Sequence, residues 1–167
     1  MFTYTLLSML AITSPAHGDE ALVNVAAAHC KNAKKPVDKR LLRGMMKLET
    51  WLKVPKYARG ITLAAACRES GYRADPRRGD GGKAVGILQM WPWWEKTYPF
   101  KRTHPLRAVE MYLRHVNKAT KKARRLCKGR RAWFVAQAWT ASGPKGWRCR
   151  YSRHVTLLRR WKRMLAR

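Results

Sequence analysis

Apolar residues recur along most of this chain at the intervals of helices, not of strands. Glu20 to Ala33 reads as a first helix. From Asp38, a suitable N-cap, to Val54, the residues Leu41, Met45, Leu48 and Leu52 keep spacings of four, three and four, which predicts one buried stripe interrupted by Gly44. Pro55 can open the next helix, on which Ile61, Ala65 and Glu69 share a face. Small residues from Leu63 to Cys67 let a neighbouring helix come close, and Gly71 with Asp75-Pro76 predicts that the helix ends just beyond the acid. Ala74 to Ala84 is too rich in Gly, Asp and Arg for core and reads as a turn or short β-hairpin. A long helix is predicted from Pro105 to about Leu126. Leu106, Val109, Leu113, Val116, Ala119 and Ala123 lie on one side of it; Arg107, Arg114, Lys118, Lys121, Lys122 and Arg125 lie on the other. Ala132 to Ser142 carries Trp133, Ala136 and Trp139, and Tyr151 to Arg167 carries Val155, Leu158, Trp161 and Leu165, so two more helices follow. With no internal repeat, the pattern describes one mainly α domain.

At 167 residues and 46% apolar content, with eight Trp, the chain can fold around a single core. Its charge is extreme: 37 Lys and Arg stand against 9 Asp and Glu, a net +28. Such a surface gathers polyanions, whether nucleic acid, anionic lipid or wall polymers such as teichoic acid, and names a class of partner without naming a reaction. The apolar run Leu6 to Ile12 and the small-x-small site Ala16-His17-Gly18 read as a secretory signal peptide, residues 1–18, which leaves 19–167 as the mature domain, secreted or periplasmic. No later run is long enough to span a bilayer. Cys30, Cys67, Cys127 and Cys149 match no metal-ligand spacing and, in an exported chain, read as two disulfides. Of three possible pairings, Cys127 with Cys149 and Cys30 with Cys67 is favoured. No metal or cofactor is expected, and the chain reads as a monomer.

The residue with chemistry to offer is Glu69. Held among alanines and aromatics, its carboxyl would be partly desolvated and its pKa raised towards the ~6 that suits a general acid acting on glycosides. The plain alternative is an exposed helix-terminal Glu paired with Arg68 or Arg73. Asp80, in the turn Gly79-Asp80-Gly81-Gly82, is the nearest second carboxylate. It could orient water, steady positive charge on a sugar, or bond the turn's own amides. Met90-Trp91-Pro92-Trp93-Trp94 is dense in indoles, and one or two of them, Trp91 foremost, are candidate floors for a sugar ring while the rest fill the core.

Glu69-Ser70, Gly86-Ile87-Leu88-Gln89 and Ala138-Trp139-Thr140-Ala141-Ser142-Gly143-Pro144 resemble, in order, three signature blocks of lysozyme-like lytic transglycosylases of the soluble (SLT) type and of goose-type lysozymes. The resemblance spans roughly Pro55 to Pro144. It implies a helical lysozyme-like fold that cleaves the β-1,4 bonds of peptidoglycan glycan strands, with Glu69 as the catalytic acid and then base. It also implies that Ser70 and Gln89 lie near the acid, to orient it or bind substrate, where their plain role is to tie the loop to the helix end. Trp139 and Thr140 stand where the family has Tyr and Asn, with Ser142 inserted before Gly143, and are the candidates for that block's substrate contacts.

Water attacks in lysozymes, whereas in lytic transglycosylases the sugar's own 6-hydroxyl closes an anhydro ring; the sequence leaves that choice open. It also leaves open whether the glycan is N-acetylated and whose wall is attacked. The main rival from another class is a secreted cationic binder of nucleic acid, lipid or wall, or a lysozyme-like scaffold without activity. No zinc-ligand spacing and no nucleic-acid-binding signature accompanies the charge.

Overall fold

The computed structural model describes residues 17–74, 78–142 and 148–167. The expected leader lies outside them except for its last two positions, and so do Asp75-Pro76 and the Gly143-Pro144 end of the third block.

Among the described residues the chain forms seven α-helices: α1 (His17–His29), α2 (Lys39–Trp51), α3 (Ile61–Ser70), α4 (Trp93–Thr97), α5 (Pro105–Leu126), α6 (Ala132–Ser142) and α7 (Arg153–Leu165). Of the expected turn or short β-hairpin, the turn is what forms: a short 3-10 turn, Asp80–Gly82, with two isolated antiparallel bridges, Gly79 with Ala84 and Val85 with Met90. A segment this rich in glycine has too few side chains to build a ladder. No helix among the described residues is long and apolar enough to cross a membrane.

The helix α3 is the axis of the fold. Every residue from Ile61 to Cys67 is buried, and α1, α2 and α7 all pack against it. Its three consecutive alanines make that density possible, since their side chains add no width between neighbouring backbones. The helix does not start at Pro55 as the sequence predicts: a 3-10 turn, Lys56–Ala58, intervenes, and Gly60 precedes α3.

What caps α3 is a buried carboxylate. Glu49, fully buried on α2, accepts from the Gly60 amide at 2.6 Å, the Thr62 amide at 2.8 Å and the Thr62 hydroxyl at 2.7 Å. A negative group at a helix N-terminus satisfies amides that have no partner within the helix and meets the positive end of its dipole. The predicted stripe of α2 is therefore shifted: the buried residues are Leu42, Met45, Met46 and Glu49, while Leu41, Leu48 and Leu52 are only partly covered. The predicted N-cap holds, with Asp38 accepting from the amides of Arg40 and Leu41. Gly44 gives Leu106 of α5 room to lie against α2.

Two disulfides, Cys30–Cys67 and Cys127–Cys149, follow the favoured pairing. The first ties the end of α1 to α3, and the second ties the end of α5 to the segment before α7. Closing a loop of 22 residues contributes about 3 kcal/mol in the chain-entropy account. Replacing both Cys127 and Cys149 with Ser is expected to lower the free energy of unfolding by about that amount in a denaturant titration.

Candidate active site

A cleft of about 930 Å³ opens where the end of α3, the loop to α4, and helices α5, α6 and α7 converge. That volume falls in the upper part of the usual range for ligand sites. Glu69, Asp80, Gln89, Trp91 and Thr140 all line it. Ser70 and Trp139 do not. Ser70 is buried with its hydroxyl donating to the Ala66 carbonyl, and Trp139 is buried with its indole donating to the Arg148 carbonyl at 3.0 Å.

Glu69 reaches the cleft because Gly71, in the left-handed region at φ 60°, ends α3 one residue after Ser70. Its side chain keeps 37% of its surface open, more than the alanine and aromatic surroundings in the sequence suggest. The plain alternative, pairing with Arg68 or Arg73, is not what the carboxylate does among the described residues. Its partner is a histidine, His154 at the start of α7, whose Nε2 lies 2.8 Å from Glu69 Oε1.

His154 is buried and is itself held from behind. Ser152 donates its hydroxyl to Gln137 Oε1, so the Gln137 amide nitrogen faces the other way, with Tyr112 Oη at 2.7 Å and His154 Nδ1 at 2.9 Å. An amide nitrogen has two hydrogens, one for each of these acceptors. His154 Nδ1 therefore accepts, its proton sits on Nε2, and Nε2 donates to Glu69 Oε1. The network is complete with a neutral imidazole. Burial pushes the Tyr112 phenol well above its ordinary range, so it stays protonated. Glu69 Oε2 has no protein partner among the described residues, which leaves that oxygen open to whatever occupies the cleft.

The opposite wall is aromatic. Trp91 and Trp93 are 42% and 37% exposed, while Trp94 is buried and stacks on Trp93 with ring centroids 4.4 Å apart. Asp80 accepts from the Trp91 indole at 3.0 Å, so it fixes an indole and does not bond the turn's own amides. Gln89 accepts from the Gly79 amide and donates to the Gly86 carbonyl, tying the loop together. Both Asp80 and Gln89 have positive φ, 49° and 46°, a conformation that non-glycine residues adopt at a cost and that gathers at functional sites. Gly86 has no such choice: a Cβ there would lie 2.1 Å from the Arg102 carbonyl oxygen. Thr140 lines the cleft but turns its hydroxyl back to the Ala136 carbonyl.

Lys and Arg make up 37 of 167 residues, yet among the described residues none lines this cleft. Its ionisable groups are Glu69, Asp80, Tyr112 and His154. An uncharged or cationic occupant meets no repulsion there, and flat apolar faces meet indoles.

No family model, curated protein or solved structure matches the chain. What the cleft can do is therefore carried by its own atoms. A carboxyl with one oxygen fixed and the other open, set across from indole faces, can deliver a proton to an ether oxygen and take one back. Sequence reasoning missed His154, Gln137 and Tyr112. The first two had a signal: His154 occupies the buried stripe of α7 with Leu158 and Trp161, and Gln137 sits in an otherwise apolar helix. A polar residue on a buried stripe needs a polar partner.

Proposed function

We propose that this protein is a secreted enzyme that cleaves the β-1,4 glycosidic bonds of peptidoglycan, as a lytic transglycosylase or a lysozyme-type muramidase, with Glu69 as general acid and then base. The observation that carries the reading is the fixed Glu69 carboxyl in an indole-walled cleft that, among the described residues, no lysine or arginine lines. The ordered likeness of its three sequence blocks to lysozyme-like enzymes points the same way, and the two disulfides fit an exported chain.

Glycoside cleavage needs a proton on the leaving oxygen while positive charge develops on the sugar. In the proposed cycle Glu69 Oε2 delivers that proton, and the carboxylate that results keeps the His154 hydrogen bond on Oε1. The charge so formed helps to steady the oxocarbenium-like sugar. Glu69 then withdraws a proton from the attacking hydroxyl, either water or the sugar's own 6-hydroxyl. Trp91 and Trp93 offer faces for sugar rings, and Asp80 holds Trp91 in place.

Digestion of purified peptidoglycan, in N-acetylated and de-N-acetylated forms, tests the proposal by mass spectrometry of the products. New anhydro ends identify a transglycosylase and new reducing ends a hydrolase; intact strands from both substrates would remove the enzymatic reading. His154→Phe is expected to lower the cleavage rate roughly 100-fold by freeing Glu69 to leave its reactive geometry. The loss should fall on kcat more than on KM, with partial recovery in His154→Gln, whose amide can still donate. Loss of KM alone would remove His154 from the proton-handling role.

A further inference from the structure

A second concavity, of about 520 Å³, lies between the end of α1 with the loop that follows it, the end of α3, and α7. Among the described residues its ionisable lining is entirely basic: His29, Lys31, Lys35, Arg68 and Arg160. Among the described residues none of the five pairs with a carboxylate or gives a side-chain hydrogen bond; the ion pairs of the fold lie elsewhere.

A plainer role for these cations is to meet the negative ends of helices, because α1 and α3 both finish here. Each helix C-terminus is worth about half a negative charge. Two such ends offset roughly one of the four permanent cations and leave about three unmatched. The proposed catalytic cleft, whose described lining has carboxylates and neither Lys nor Arg, shows by contrast that basic residues do not simply cover every concave surface among the described residues.

The walls are also fixed. The Cys30–Cys67 disulfide crosses the floor, the Asn32 side chain donates to the Arg68 carbonyl at 3.4 Å, and a Cβ on Gly71 would lie 2.0 Å from the Asn32 carbonyl oxygen. The loop after α1 is thus pinned to the end of α3, so the backbone that carries the charges is fixed before any ligand arrives, which spares the cost of ordering the loop on binding.

We propose that this groove is a second binding site, for a phosphodiester wall polymer. A lone carboxylate would match one of the unmatched charges, whereas successive phosphodiesters supply one charge per repeat and oxygens that Arg68 and Arg160 can take in pairs. Arg68 and Glu69 are consecutive on α3, so groove and cleft are each lined by a residue of the same helix turn. The choice of a wall polymer over nucleic acid rests on the proposed cell-wall function; the groove's affinity for phosphate does not.

The test measures fluorescence anisotropy of labelled poly(glycerol phosphate), which has no glycosidic bond to cleave, with the full native chain as background. Added to that background, Lys35→Gln with Arg160→Gln is expected to weaken binding about tenfold and to reduce the salt dependence by about two counterions. Lys121→Gln with Arg125→Gln on the outer face of α5, equal in charge, is expected to change affinity less than about twofold. Matching thermal melts verify that all variants fold. Equal losses from the two pairs, absence of binding, or equal binding of polyglutamate of the same charge would overturn the proposal. Tighter groove-dependent binding of an oligonucleotide would overturn the wall polymer as occupant. Because no step of this assay depends on turnover, its failure leaves the glycan-cleaving reading standing, and failure of that reading leaves the phosphate test intact.

Discussion

Glu69→Gln is expected to lower the rate of glycan cleavage about 1,000-fold, within the range that a positioned general acid supplies. Gln has the shape of Glu, and its carbonyl can still accept from His154 Nε2 at the 2.8 Å seen for Glu69 Oε1. What it lacks is a transferable proton on the oxygen that faces the cleft. Binding of the glycan and the melting temperature should change little, so the loss appears in kcat. The rate is read from new glycan ends, and a variant that cleaves at a tenth of the native rate or faster would exclude Glu69 as the acid. Asp80→Asn, compared in the same assay, separates the two proposed chemistries. Asn can still accept from the Trp91 indole, so a loss approaching that of Glu69→Gln assigns the Asp80 charge to the chemistry and favours attack by water. A small loss leaves Asp80 as a support for Trp91 and favours ring closure by the sugar's own hydroxyl.

The largest effect on stability is expected at Glu49. Glu49→Ala removes the acceptor for two amides and one hydroxyl at the start of α3, in a site that water does not enter. Unpartnered buried donors of this kind cost about 1–3 kcal/mol each, and a total of about 3–5 kcal/mol is expected. For a domain with typical stability of about 5–15 kcal/mol this is a large fraction, visible as a lower midpoint in urea. Because α3 carries Glu69, activity should be lost as the variant unfolds. The pH dependence has a definite sign. Burial pushes the Glu49 carboxyl above its ordinary value of 4.5, against the opposing hydrogen bonds from Thr62 and Gly60 and the charge of Arg59. A carboxyl raised in the folded state contributes stability that is fully present below its unfolded pKa and is lost as pH rises through the folded one. The stability of the native chain relative to Glu49→Gln should therefore be greatest below pH 4.5 and shrink as the solution is made less acid. Denaturant titrations of both chains across that window measure it; a difference that grows with pH would contradict the assigned direction.

The bounds of α5 and α6 are legible in the sequence because a proline opens one, a long two-sided pattern fills it, and a mostly apolar run makes the other. The face of α2 is less so. It packs against α1, α3 and α5, so its apolar face is wide, and the stripe through Leu41 and Leu48 looks as good as the true one through Leu42, Met45 and Met46. Glu49 continues that true stripe, but a carboxylate is assigned to solvent unless a buried cap is known to await it. The half of the cleft that comes from α3 and its following loop can be read locally, since Glu69, Asp80, Gln89 and Trp91 lie within one stretch of chain. The other half cannot. Tyr112, Gln137 and His154 come from three separate helices, and His154 lies 85 positions from the carboxylate it holds. Only the packing of α5, α6 and α7 brings them together. The third block illustrates the converse: Trp139 is conspicuous in the sequence, yet its indole is spent on the Arg148 carbonyl and it stands behind the cleft, not in it.

The central claim, that Glu69 hands a proton to a glycosidic oxygen in this cleft, is tested most directly by the crystal structure of the Glu69→Gln chain with a peptidoglycan oligosaccharide. The expected result places sugar rings against Trp91 and Trp93, with one bridging oxygen within hydrogen-bond reach of the side chain at position 69 on the atom not held by His154. An oligosaccharide bound away from that side chain, or a cleft that takes none at saturating concentration, would contradict the account.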